Sequence, residues 1–97
     1  MLRGRRRVEY TRAFMSEVLL SYEATLAAIE ERGREPTPWE AKCLLSALTS
    51  IAGESWGLAQ RDLTQCRRTR KGPPTTGSVT IEALRGALTE IRVAKSS

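Results

Sequence analysis

The chain has 97 residues, is 40% hydrophobic and 28% charged, carries a net charge of +5, and holds two cysteines and no histidine. That length supports one compact core and not two. The composition argues against wholesale disorder and a disulfide-dense secreted scaffold, and the lack of histidine removes the commonest general base and zinc ligand.

The longest uninterrupted apolar run is Leu26 to Ile29, far short of the roughly 20 residues that a membrane-spanning helix needs. The basic start, Met1 to Arg7, has no apolar region behind it, because Glu9, Arg12 and Glu17 interrupt the adjoining stretch. No secretory signal is expected on this pattern, and the chain reads as cytoplasmic. Residues 1–7 are expected to be a flexible basic tail, with a single domain over 8–93 and a frayed end at 94–97.

In chain order, Met15, Val18, Leu19, Tyr22, Leu26 and Ile29 recur at helical spacing and predict an amphipathic helix from about Val8 to Arg32, stopped by Gly33. The next start is the clearest local signal. In Thr37-Pro38-Trp39-Glu40, the threonine hydroxyl can cap the third helical N–H while Glu40 returns to the Thr37 N–H, with Pro38 where its missing donor costs nothing. From there Leu45, Leu48, Ala52, Trp56, Ala59, Leu63 and Cys66 form a stripe that, if unbroken, makes one helix of nearly 30 residues. Residues 67–77 contain two prolines, two glycines and no apolar side chain, so they read as a loop. Ser78 or Thr80 can cap a last helix, whose stripe is Ile81, Leu84, Ala87, Leu88 and Ile91, ending near Val93.

The predicted fold class is therefore all-α: an antiparallel helical hairpin plus a shorter third helix. It is a three-helix bundle, or a four-helix bundle if the second segment breaks near Gly53. A short third helix covers only part of the seam between two long ones. Either the second segment breaks near Ala52 to Ser55, or the seam of Leu45, Leu48, Ala52, Trp56, Ala59 and Leu63 meets a second copy of the chain. The continuous helix and a homodimer are the preferred expectation.

Charge is uneven. Residues 1–12 carry Arg3, Arg5, Arg6, Arg7 and Arg12 against Glu9, and residues 61–71 carry Arg61, Arg67, Arg68, Arg70 and Lys71 against Asp62. Each stretch is +4 and the remainder is −3. A hairpin of two long helices would bring both clusters to one end and leave Glu30, Glu31, Glu35 and Glu40 at the other. An arginine-rich tip suits phosphate groups, because the guanidinium stays charged and bonds phosphate in pairs. The function expected is thus a non-enzymatic binding module docking on nucleic acid or another polyanion, an acidic protein included. The alternative is a protein-interaction module, an adaptor or small chaperone, using the apolar seam. Solvated surface is the competing account of the arginines.

No cofactor, metal or small-molecule substrate is implied, and no spacing suggests a catalytic set. Cys66 beside Arg67 and Arg68 invites a redox reading, yet its place on the apolar stripe favours a buried small hydrophobe. On a continuous helix Cys43 and Cys66 would stand roughly 35 Å apart. Trp39 is expected to pack under the connector and Trp56 to sit in the core or seam.

Overall fold

Four helices, α1 (Leu2–Glu31), α2 (Pro38–Ala52), α3 (Trp56–Arg68) and α4 (Ile81–Ser96), form the computed structural model, which describes residues 2–33, 35–68 and 79–96, with side chains from Ala13 to Lys95. Each helix runs against the direction of the one before. Ser46 Oγ donates to Asp62 at 2.8 Å and Trp39 Nε1 to the Gln65 carbonyl at 3.5 Å, which sets α2 and α3 antiparallel. Arg85 reaches Glu30 and Arg92 reaches Glu23, which sets α4 antiparallel to α1. Both α1 and α2 pack mainly on α3 and α4, so the first two helices oppose each other diagonally. The adjacent hairpin is α2–α3, and the expected α1–α2 hairpin is corrected accordingly.

The second segment breaks, against the preferred expectation. Gly53 closes α2, Glu54 takes φ +60°, and the Ser55 N–H bonds the Ser50 carbonyl at 2.7 Å while the Glu54 N–H bonds Ile51 at 3.0 Å. This pair of bonds is a Schellman motif with glutamate where glycine usually stands. The Ser55 carbonyl then accepts the first intrahelical bond of α3, from Ala59 at 3.1 Å, so three residues reverse the chain.

Other boundaries follow the local chemistry. The capping box forms, with Thr37 Oγ1 accepting from the Glu40 N–H at 3.1 Å and Glu40 Oε1 accepting from the Thr37 N–H at 2.9 Å. Gly33 ends α1 at φ +70°, where a side chain would strain the backbone. Thr80 caps α4 by accepting from the Ala83 N–H at 3.1 Å, and Ser78 lies outside the described residues. Helix α1 starts at Leu2 and so takes in most of the segment expected to be a tail, because Leu and Arg are good helix formers. Helix α4 runs to Ser96, and α3 keeps Arg67 and Arg68 out of the loop; residues 69–77 of that loop lie outside the described residues.

The core joins Val18, Tyr22, Leu26 and Ile29 of α1 to Leu44, Ala47 and Ile51 of α2, Ala59, Leu63 and Cys66 of α3, and Leu84 and Leu88 of α4. The Tyr22 hydroxyl, fully buried, donates to the Leu84 carbonyl at 3.0 Å, tying α1 to α4. Glu40 is 1% exposed and is also paired with Arg32 at 3.0 Å.

The expected seam is corrected in two ways. Leu48, Trp56, Ala59 and Leu63 are buried within the chain's own bundle, whereas Leu45 and Ala52 are exposed. The working stripe of α2 is Ala41, Leu44, Leu48 and Ile51. The path through Leu45 was in phase with Trp56 only on an unbroken helix.

Candidate polyanion-binding surface

Reversal at residues 53–55 decides where the second basic cluster goes. Helix α3 runs parallel to α1, so Arg67 and Arg68 arrive near the middle and far end of α1. Arg67 Nη2 donates to Ser21 Oγ at 2.9 Å. The α1 positions Arg12 to Arg3 stand nine to eighteen residues before Ser21, about 14 to 27 Å of helix rise. Exposed charges at such distances are largely screened at physiological salt, where the Debye length is about 8 Å. Arg67 and Arg68 are thus carried away from Arg3 to Arg7, whereas Arg61, six residues earlier on the parallel α3, lies nearer the level of Arg12.

Arg67 and Arg68 instead share an end with Glu30, Glu31, Glu35 and Glu40. There Arg32 is taken by Glu40, Arg85 by Glu30, and Glu35 Oε2 accepts from the Ile81 N–H at 2.9 Å. Hydrogen bonding and proximity to Glu30 push the Arg85 guanidinium still higher than usual. Arg61 is exposed on α3. Arg70 and Lys71 lie outside the described residues, as do the side chains of Arg3, Arg5, Arg6, Arg7 and Arg12, whose backbone belongs to α1.

Helix α1 is 30 residues long against 15, 13 and 16 for the others. Among the described side chains, the first that pack on the core are Phe14 and Met15. A helix of 30 residues is about 45 Å long, close to the 51 Å longest dimension of the molecule. The arginine-rich stretch thus occupies the first third of the longest element. No acidic residue stands in its first turn, so Arg3 and Arg5 fall at the positive pole of the helix dipole.

A groove of about 510 Å³ opens at the bundle end where the 53–55 turn, α1 and α4 meet, lined by Met15, Leu19, Ile51, Trp56, Ile91, Glu54, Arg92 and Lys95. Trp56 and Ile51 are its buried floor. Lys95 crosses its mouth, donating to the Ala52 carbonyl at 3.1 Å, lying 3.7 Å from Glu54 and 5.9 Å over the Trp56 ring. Most of the apolar lining was recognisable as helical stripe, but Lys95 was not, since nothing in its local spacing marks it.

The two cysteines are free and buried in one core, no longer far apart as a continuous helix would have them. Burial pushes the Cys66 thiol up to about 12 and raises Cys43 as well, which opposes a redox-reactive role at neutral pH. No group of three or more metal-ligating side chains occurs among the described residues, and no described helix is long and apolar enough to cross a membrane. The described residues form an all-α four-helix bundle. No protein-family model matches it, and neither does any curated protein or solved structure.

Proposed function

We propose that this chain is a non-enzymatic binding module that docks on a polyanion, in the first instance the phosphate backbone of nucleic acid, through the arginine-rich start of α1. The observation that carries the reading is the placement of five arginines and one glutamate in the first twelve residues, on the one helix that outruns the bundle. Arg3 precedes Arg6 and Arg7 by three and four residues, the spacings at which like charges on a helix repel. An anion laid along this stretch relieves that repulsion and the unfavourable dipole together, so binding and local helix stability reinforce each other. Arg67 and Arg68, at the end of α3 that meets the acidic start of α2, are left out of the site.

The alternative of an adaptor, small chaperone or homodimer acting through the apolar seam is less favoured, because Leu48, Trp56, Ala59 and Leu63 of that seam are buried within the chain's own bundle. The test of the preferred reading is fluorescence anisotropy with a labelled duplex over a range of salt. Arg3, Arg5, Arg6 and Arg7 changed together to Ala should remove most binding, and Arg61, Arg67 and Arg68 changed to Ala should leave it within about twofold. Five phosphate contacts give a log-affinity against log-salt slope of about −4.5, so affinity falls about 500-fold between 50 and 200 mM. Binding indifferent to salt, or lost only with the α3 arginines, would end this reading.

A further inference from the structure

The groove at the 53–55 end has a composition that the arginine helix does not explain. Its wall and floor come from all four helices, with Met15 and Leu19 from α1, Ile51 from α2, Trp56 from α3 and Ile91 from α4, and its volume of about 510 Å³ falls within the roughly 300 to 1,000 Å³ of small-molecule sites. The one cation across its mouth is incompletely used. An ammonium has three donors. Lys95 spends one on the Ala52 carbonyl and lies over Trp56, but its carboxylate partner, Glu54, stands 3.7 Å away and is 68% exposed, beyond hydrogen-bond distance. The other rim cation, Arg92, is held at 2.6 Å by Glu23.

The geometry points to a binding site for a free single-chain amphipathic carboxylate of the medium-chain fatty acid class, its chain on Met15, Leu19, Ile51, Trp56 and Ile91 and its carboxylate on Lys95. The ligand replaces Glu54 as the anionic partner of Lys95, and Glu54 turns to water at little cost, because an exposed pair at that distance contributes little. Lys95 keeps its bond to Ala52, so the cation is already positioned. This site is separate from the proposed polyanion surface and does not depend on it.

The test is isothermal titration calorimetry with decanoate, using decyltrimethylammonium and acetate as comparators. Decanoate should bind saturably at one site, and both comparators should bind at least tenfold more weakly. Lys95→Ala should weaken decanoate about tenfold, the loss of one charge-assisted hydrogen bond, with only a small fall in Tm, since the bond it gives up to the Ala52 carbonyl is exposed. Met15→Trp should block the groove while leaving Lys95 intact. Changing Arg3, Arg5, Arg6 and Arg7 to Ala should leave decanoate binding unchanged even if it abolishes binding to the duplex. Equal affinity for the cationic amphiphile, indifference to both groove variants, or loss of decanoate in the α1 variant would overturn the site. Tight binding to phosphatidylglycerol vesicles with none to free decanoate would overturn the assignment to a free acid.

Discussion

Glu40→Ala isolates the corner from which α2 departs. The Glu40 carboxylate is 1% exposed, accepts from the Thr37 N–H at 2.9 Å, and pairs with Arg32 at 3.0 Å. Removing it leaves a buried N–H, in a residue that is itself fully buried, without an acceptor, which costs about 1 to 3 kcal/mol. Arg32 is a quarter exposed and turns to water, so the lost ion pair adds only about 0.5 to 1 kcal/mol. The half of the capping box that survives, Thr37 Oγ1 to the Glu40 N–H, is a backbone contact at residue 40 and remains. The expected loss is therefore about 1.5 to 4 kcal/mol, a large fraction of the roughly 5 to 15 kcal/mol that stabilises a domain. Glu40→Gln keeps an acceptor for the Thr37 N–H and should cost no more than half as much. Urea unfolding followed by far-ultraviolet circular dichroism measures both. A Glu40→Ala cost below 1 kcal/mol, or equal costs for Ala and Gln, would show that the buried N–H is not what Glu40 serves.

Glu54→Gly should stabilise the fold by about 0.5 to 1 kcal/mol, because φ +60° favours glycine and the only contact given up is the long, exposed pair with Lys95; a measured loss of stability by the same unfolding assay would contradict the strain. Alkali should destabilise the protein earlier than surface titration alone would. Cys66 is raised from 9.0 to about 12 by burial, and burial also raises Tyr22 well above its ordinary 10.0. Both are neutral in the fold and ionise more readily when unfolded, so their contribution is complete below pH 9 and declines as pH rises, by about 1.4 kcal/mol per unit for each group. Unfolding free energies at pH 8 and 11 should differ by about 4 kcal/mol more in the wild type than in a Tyr22→Phe, Cys66→Ala double variant, and an equal pH dependence in both would remove these groups as the cause. Neither thiol should react with a disulfide reagent at pH 7 until the protein unfolds, and prompt labelling of the native protein would reverse that expectation.

Legibility in the sequence followed the reach of each signal. The capping box at Thr37 and Glu40, the stop at Gly33 and the stripes of α1 and α4 are written in residues within a turn or two of one another, and each forms as read. The break at 53–55 is equally local, yet its signal is displaced by one position. Glycine occupies the C-cap at ordinary dihedrals, and the residue that must turn left-handed is Glu54. The stripe reinforced the wrong choice, because Leu45, Leu48 and Ala52 continue into Trp56 with helical phase while Leu44, Leu48 and Ile51 do not. Leu44 and Ile51 are buried, and Leu45 is 46% exposed. The groove was invisible for another reason: Ile51, Trp56 and Lys95 belong to three helices, and only the tertiary arrangement puts an ammonium over that ring.

The turn at 53–55 also changes what a salt titration should count. A continuous second helix would carry Arg61, Arg67, Arg68, Arg70 and Lys71 back toward Arg3 to Arg12, and a merged tip of ten cations would give a slope near −9 on duplex DNA. With α3 reversed, Arg67 and Arg68 lie more than a Debye length along the bundle from Arg3 to Arg7, and the proposed docking through the five arginines of α1 predicts about half that slope. A variant that forces α2 and α3 into one helix, by changing Gly53 and Glu54 to Ala with Ser55 to Leu, should steepen the salt dependence if it folds as a continuous rod. If that variant keeps the four-helix arrangement, the slope should stay near −4.5 and the packing of α3 between α1 and α2, rather than the turn residues, must be what holds the reversal.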